Sequence, residues 1–289
     1  FQNLLKNKNS VVFAFQANLY CIIICKLLSI KIIVRSNSAP EGWSKNIIKQ
    51  YLYKVIIKKA DKVMVNSYEF KNNMKKKFGI EPIVIYNPLN KSEIVRKSKS
   101  KIKNIFPKKN LKIINIGRYV DQKDQLTLLK ALNLIKSKVN FKAVIMGRGI
   151  KKREMEIFIR KNNLYKNFKL LKFQNNPYKY LVKSNLFILT SIFEGLPNVL
   201  LEALTLKKII ISSNCPTGPK EILEYGKGGI LFEMSDYKKL ASNILHVSKN
   251  FKRLRKKVNF GFKSLKRFDS EKNLNKYLYI VRKTLKVWF

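Results

Sequence analysis

The chain is short of acids: 17 Asp+Glu stand against 61 Lys+Arg in 289 residues, a formal charge of +44. It is equally short of the residues on which much enzyme chemistry rests. Its one histidine, His246, stands far from any other candidate group, which sets aside a Ser-His-Asp triad, a Cys-His pair and a histidine metal site. Cys21, Cys25 and Cys215 form no CxxC pair and cannot all pair with one another; they read as buried thiols of a reducing compartment. No long apolar run is present either. Val11 to Val34 is broken by Gln16, Asn18, Lys26 and Lys31, and its clean stretch, Leu19 to Cys25, falls well short of the roughly 20 residues a spanning helix needs. That region reads as a buried helix followed by a buried strand, Ile30 to Val34. No signal-peptide pattern is seen. The sequence begins with Phe1 rather than Met and enters a helical pattern at once, so its true start is expected upstream.

A hydrophobic content of 46% is ample for real cores, and the length suits two domains. The positive balance makes phosphate-bearing ligands, anionic membranes and nucleic acid plausible partners. Abundant Lys, Asn and Ile also fit codon bias in an A/T-rich genome, and the acid-free run Lys249 to Arg267 reads equally as a solvated helix face.

Along the chain, strand and helix alternate. Strand Ile30–Val34 is followed by the polar turn Arg35-Ser36-Asn37-Ser38-Ala39-Pro40 and a basic amphipathic helix from about Ser44 to Lys59. Then come a strand over 60–66, a helix over 68–78 and a strand over 82–86. Residues 90–110, lysine-rich and poor in apolar groups, read as a linker. The alternation then restarts with a strand over 112–116, a helix over 126–137, a strand over 141–146 and a helix over 152–162, with further strands near 168–172, 186–189 and 209–212. Such alternation predicts an α/β fold of two doubly wound, Rossmann-like units with parallel sheets: residues 1–104, residues 105–270, and a C-terminal helix over 271–289 returning toward the first unit. Ligand groups should sit where strands end and helices begin.

One such place is SIFEGLPNVLLEAL, Ser191 to Leu204. Here Glu194 lies on the loop before a helix, Pro197 suits its first turn, and Glu202 lies more than a turn inside. Gly195 allows close backbone approach, and the unpaired N–H groups of a helix start favour an anion. Between Ser184 and Glu224 there are four acids, three lysines and no arginine, so the general basicity is resisted locally. A phosphate flanked by carboxylates that accept hydrogen bonds from hydroxyls describes a nucleotide-sugar site. Two carboxylates near a helix start can also be ordinary residues favoured by the macrodipole. Gly117-Arg118 ends a strand, and Lys123 follows five residues later, a fork and a point charge suited to a diphosphate. Gly147-Arg148-Gly149 reads only as a short glycine turn.

On these residues the second half resembles the retaining GT-B glycosyltransferases of family 4, the glycosyl transferases group 1 domain, with its E-x7-E motif as Glu194 and Glu202. The resemblance runs from Asn115-Ile116-Gly117-Arg118 and Gln122-Lys123, through Gly147 and Phe173-Gln174-Asn175-Asn176-Pro177, to Cys215-Pro216-Thr217-Gly218-Pro219-Lys220-Glu221-Ile222, about 109 to 235. The first half looks like part of the family's N-terminal acceptor domain, through RSNSAP, ADKVMVNS and VIYNPLN. It lacks the family's opening strands with their glycine-rich loop, and the histidine that many members place there.

The resemblance implies a hexosyl or N-acetylhexosaminyl transferase that uses a nucleotide-sugar, with UDP expected, and a glycan or lipid-linked glycan acceptor of polysaccharide or glycolipid synthesis. It implies that Glu202 binds the ribose hydroxyls, and that Glu194 with the amides around Gly195, Leu196, Pro197 and Asn198 holds the donor sugar. Arg118 and Lys123, beside Gly117, neutralise the departing diphosphate, and the main chain of Phe173, Gln174 and Asn175 meets the base. Transfer retains the anomeric configuration, and Glu194 is not a glycosidase nucleophile. No cofactor and no metal is expected. The chain would work in the cytoplasm, where the basic helix over 47–59 suits peripheral contact with an anionic membrane, or else is a helix packed on the sheet with lysines in water. Two other readings stand beside this one: a non-catalytic remnant that keeps the donor fold, and a basic nucleic-acid-binding protein, whose phosphate backbone Glu194 and Glu202 would repel.

Overall fold

The computed structural model describes residues 10–37, 46–102 and 105–286. The expectations for Phe1, for the turn Ser38-Ala39-Pro40 and for the start of a helix at Ser44 lie outside those residues. Two compact units are present: residues 1–89, 216–218 and 267–289 form the first, and residues 90–215 and 219–266 the second.

The first unit runs β1 (Val11–Ala14), α1 (Asn18–Leu27), β2 (Lys31–Ser36), α2 (Ile47–Ile57), β3 (Lys62–Val65), α3 (Tyr68–Phe78) and β4 (Ile83–Val84). The strands lie side by side in that order, all parallel. Alternate side chains go to opposite faces. Ile32, Val34 and Val65 pack with Ile22 and Cys25 of α1, Ile57 of α2 and Phe70 and Met74 of α3. Ile33, Met64 and Ile85 pack on the other face with Tyr277, Ile280 and Val281 of the C-terminal helix Ser270–Leu285.

Two elements differ from the sequence reading. Val11–Ala14 is a strand, not the head of a helix: β-branched Val11 and Val12 pair with Lys31 and Ile32, and Ala17 at φ 51° turns the chain into α1. Part of the expected linker is helical, α4 (Lys91–Ser98), because the Asn90 side chain accepts from the Glu93 N–H at 3.0 Å and caps it.

The second unit contains β5 (Leu111–Ile116), α5 (Gln125–Ile135), β6 (Phe141–Gly147), α6 (Lys152–Lys161), β7 (Phe168–Lys172), α7 (Tyr178–Leu181), β8 (Leu186–Leu189), α8 (Asn198–Thr205), β9 (Ile209–Ser213) and, later, β10 (Ile230–Phe232). All neighbours are parallel, in the order β10-β9-β8-β5-β6-β7. The four-residue run Leu186–Leu189 is buried throughout, as a strand covered on both faces must be. The winding reverses between β5 and β8, the place where open α/β sheets leave a crevice at the carboxyl ends of their strands. There the two strands pair only through Ile113 with Leu186 and Ile114 with Phe187. Beyond them the Asn115 side chain, buried, donates to the Ile188 carbonyl at 2.9 Å.

Cys25 and Cys215 are buried and Cys21 half-buried, all as free thiols. Among the described residues no helix is long and apolar enough to cross a membrane.

Candidate functional site

At the carboxyl ends of β5, β6, β7 and β8 the second unit encloses a cavity of about 540 Å³. The loops after β5 and β8 form two of its walls and are tied together through Gln122. The Gln122 amide donates to the Phe193 carbonyl at 2.9 Å, and the Ile192 N–H donates to the Gln122 carbonyl at 2.9 Å. Thr190 Oγ1 donates to the Lys123 carbonyl at 2.8 Å. These bonds bring residues some seventy positions apart to fixed positions across the strand reversal.

Glu194 is buried, and its Oε1 accepts from Ser191 Oγ at 2.6 Å and from Lys123 Nζ at 2.5 Å. Ser191 is itself held, its carbonyl accepting from Ser213 Oγ at 2.6 Å. Only 15% of the Lys123 side chain and 7% of the Glu194 side chain are exposed, so the pair is screened little by water. Arg118 is exposed at the rim, where a terminal nitrogen donates to Gln122 Oε1 at 3.0 Å. Glu194, Arg118 and Lys123, the three residues expected to carry the chemistry, therefore share one cavity.

Of the other candidates, Gly117, Leu196, Pro197, Asn198 and Gln174 line the same cavity. Pro197 stands one position ahead of the helix, at the cap of α8, and makes no side-chain capping bond itself. Glu202, Gly195 and Asn175 are not among the lining residues. Glu202 lies in α8, half-buried, and accepts from Tyr178 Oη at 3.3 Å. Burial raises its carboxyl above the usual carboxylate range, and the Tyr178 hydrogen bond offsets part of that. Tyr178 is in turn pushed up to about 12 by burial and by the neighbouring carboxylate. Gln174 Oε1 accepts from Tyr180 Oη at 3.4 Å, and Asn175 is exposed.

Sequence reasoning took Gly147-Arg148-Gly149 only as a short glycine turn, yet Gly147 and Arg148 line the cavity. A Cβ on Gly147 would lie 1.9 Å from the Gly117 carbonyl oxygen, so only glycine lets the β5 and β6 loops meet. The Gly117 N–H donates to the Met146 carbonyl at 3.0 Å and the Tyr119 N–H to the Arg148 carbonyl at 2.8 Å. The buried Tyr119 hydroxyl then reaches the Ile145 and Leu171 carbonyls at 2.9 and 2.7 Å, its one proton shared between them, fastening β6 and β7 beneath the cavity. The Arg148 guanidinium lies 5.5 Å from the centre of the Phe173 ring, an exposed aromatic face at the mouth. His246 is exposed on the helix Tyr237–Lys249 and takes no part. Among the described residues no group of three or more His, Cys, Asp or Glu is placed to hold a metal ion.

An aromatic face, cations, the buried Glu194 carboxylate and a helix start around one cavity suit a ligand with a ring, a diphosphate and hydroxyls. Similar proteins are known. An uncharacterized glycosyltransferase of Methanocaldococcus jannaschii is 32% identical, over 87% of this chain and 71% of its own length. The N-acetylgalactosamine-N,N'-diacetylbacillosaminyl-diphospho-undecaprenol 4-alpha-N-acetylgalactosaminyltransferase of Campylobacter jejuni is 29% identical over 66% of this chain. The chain spans about half, 52%, of that relative. In three dimensions the chain is similar to Anabaena HepE, crystallised in complex with UDP: TM-score 0.81 and 17% identity, over 98% of this chain and 81% of that one. The two parallel-sheet units are thus of the GT-B type. The glycosyl transferases group 1 model matches residues 96–264, more than half of the sequence, and the chain belongs to that family.

Proposed function

We propose that this chain transfers a hexosyl or N-acetylhexosaminyl unit from a UDP-sugar to a glycan or lipid-linked glycan acceptor, with retention at the anomeric carbon. The observation that carries the reading is the cavity at the β5/β8 reversal, where Lys123, Glu194 and Arg118 converge beside the start of α8. The acceptor hydroxyl oxygen bonds to the anomeric carbon as that carbon's bond to the β-phosphate oxygen breaks. UDP leaves with the electron pair and takes up the hydroxyl proton on the same face. Negative charge grows on the diphosphate in that step, and the Arg118 and Lys123 cations together with the α8 backbone dipoles stabilise it without having to reorganise. Such preorganised charge does here what a metal ion does elsewhere, so no metal is required. Glu194 fixes the Lys123 ammonium and presents its carboxylate to the donor sugar. Glu202 takes the ribose hydroxyls, and Phe173 with Gln174 and Asn175 receives the base.

The names of several relatives support the acceptor class. Besides the diphospho-undecaprenol enzyme of Campylobacter jejuni, they include the capsular polysaccharide glycosyltransferase CapH and a poly(ribitol-phosphate) alpha-N-acetylglucosaminyltransferase, both of Staphylococcus aureus. A lipid-linked acceptor would bring the enzyme to the cytoplasmic face of a membrane.

The test is calorimetric titration of the folded chain with UDP and with GDP, repeated on Glu202→Ala and in the presence of a chelator. UDP binding that is lost in the variant and indifferent to the chelator is the expected result. Binding of GDP alone would overturn the choice of base. Binding of neither nucleotide to a folded sample would favour a non-catalytic remnant.

A further inference from the structure

The helices α1 and α2 both pack on one face of the first sheet, through Ile22 and Cys25 on α1 and Ile57 on α2, and they contact each other. Their outer faces are apolar as well. On α2, Ile47 (82% exposed), Tyr51 (65%) and Val55 follow a spacing of four, with Ile48 and Leu52 beside them. On α1, Tyr20 (74%), Ile23 and Leu27 (80%) follow at three and four. A helix that only covers a sheet shows polar residues on its outer side, so a second apolar stripe turned to solvent on each of two adjacent helices needs an occupant.

Charge identifies the occupant. Neither helix contains an acid, and Lys49, Lys54 and Lys58 lie among or just beyond the exposed apolar positions of α2. The nearby acid Asp61 is paired with Lys26 Nζ at 2.8 Å and accepts from the Ile32 N–H at 2.7 Å. Lys49 also lines a cavity of about 500 Å³ in this unit, where the charged groups among the described lining residues are the cations Arg35, Lys49 and Lys77. A second copy of a chain of formal charge +44 would be repelled from such a face. An anionic bilayer would be attracted to it, taking the apolar stripe into its headgroup boundary and the lysines to its phosphates.

We propose that the α1/α2 face docks the protein on an anionic lipid bilayer, with the exposed Ile47, Ile48, Tyr51 and Leu52 entering the interface. The contact is independent of the nucleotide cavity, so a chain that binds no UDP should still dock. The experiment is sedimentation of the whole chain with vesicles of phosphatidylcholine alone and of phosphatidylcholine with phosphatidylglycerol in equal parts, at physiological salt. Two variants accompany it: Ile48→Asp with Leu52→Asp, and Lys49→Gln with Lys54→Gln and Lys58→Gln. Circular dichroism and UDP titration check that each folds with the other unit intact. The expected result is binding to the anionic vesicles, lost about tenfold or more in each variant, with UDP affinity unchanged. Absence of binding by the unaltered chain, equal binding to both vesicles, or variants that bind like the parent would overturn the proposal. So would light scattering that shows a dimer dissolved by the aspartates, which would assign the face to a second copy. If the aspartate variant does not fold, the lysine variant alone decides.

Discussion

Lys123 Nζ lies 2.5 Å from Glu194 Oε1, an ion pair between groups 71 residues apart in sequence, closed across the reversal of the second sheet. Removing one partner leaves the other charge in a poorly hydrated site. Glu194→Gln is expected to cost about 3 kcal/mol in stability by urea unfolding and to lower the transfer rate on the order of 100-fold. Lys123→Met should do likewise, and the double variant should lose much less than the sum. Additive losses would mean that the two act separately.

Glu202, in its proposed role, is expected to make donor binding sensitive to pH. Burial raises its carboxyl above 4.5, so in the folded chain the proton is held more tightly than in the unfolded one. The group therefore favours the folded state at low pH, and that contribution is lost as pH rises from 4.5 through the raised value. The role proposed for it at the ribose hydroxyls needs the ionised form as acceptor. UDP affinity should accordingly fall as pH drops toward 4.5 through this window, and binding within it should release a proton, visible as buffer-dependent heats in calorimetry. Tyr178→Phe removes a hydrogen bond that lowers the Glu202 value and should move the midpoint to higher pH.

Two glycines of the cavity should respond differently to the same change. Gly147→Ala forces a Cβ to within 1.9 Å of the Gly117 carbonyl oxygen, so the two loops must part. The expected loss is about 2 kcal/mol in thermal unfolding, with weaker UDP binding. At Gly117 a Cβ would meet the Lys123 methylenes at 3.5 Å, an ordinary contact, and Gly117→Ala should leave the unfolding temperature nearly unchanged.

The Phe173 ring, with Arg148 5.5 Å from its centre, offers a stacking face for a base. Phe173→Ala is expected to weaken UDP about tenfold, about 1.4 kcal/mol, while free phosphate binds as before. An equal loss for both ligands would place the effect in the diphosphate subsite.

Much of the frame was legible because parallel strands covered on both faces are written as short apolar runs ending in polar turns. Leu186–Leu189 and Phe141–Gly147 are of this kind, and Gly117, Arg118 and Glu194 follow such runs. Helix Lys91–Ser98 was hidden by its lysines, although Asn90 and Glu93 three residues apart carry the cap in plain sight. Strand Val11–Ala14 was hidden because it is only four residues long and ends three positions before a left-handed Ala17. The Lys123–Glu194 pair and the Gly147–Gly117 approach could not be read at all. Each depends on which strands become neighbours, and local pattern does not encode that order.

The Asn115 amide, reaching the Ile188 carbonyl where β5 and β8 cease to pair, spans the seam with a side chain. A backbone rung would hold the two strands about 4.8 Å apart; a side chain bridges them where they part. The base of the site is thus tied by a buried side chain. An Asn115→Ala change is thus expected to disturb the seam beneath the cavity, whereas changes at Phe173 and Arg118 act at its rim.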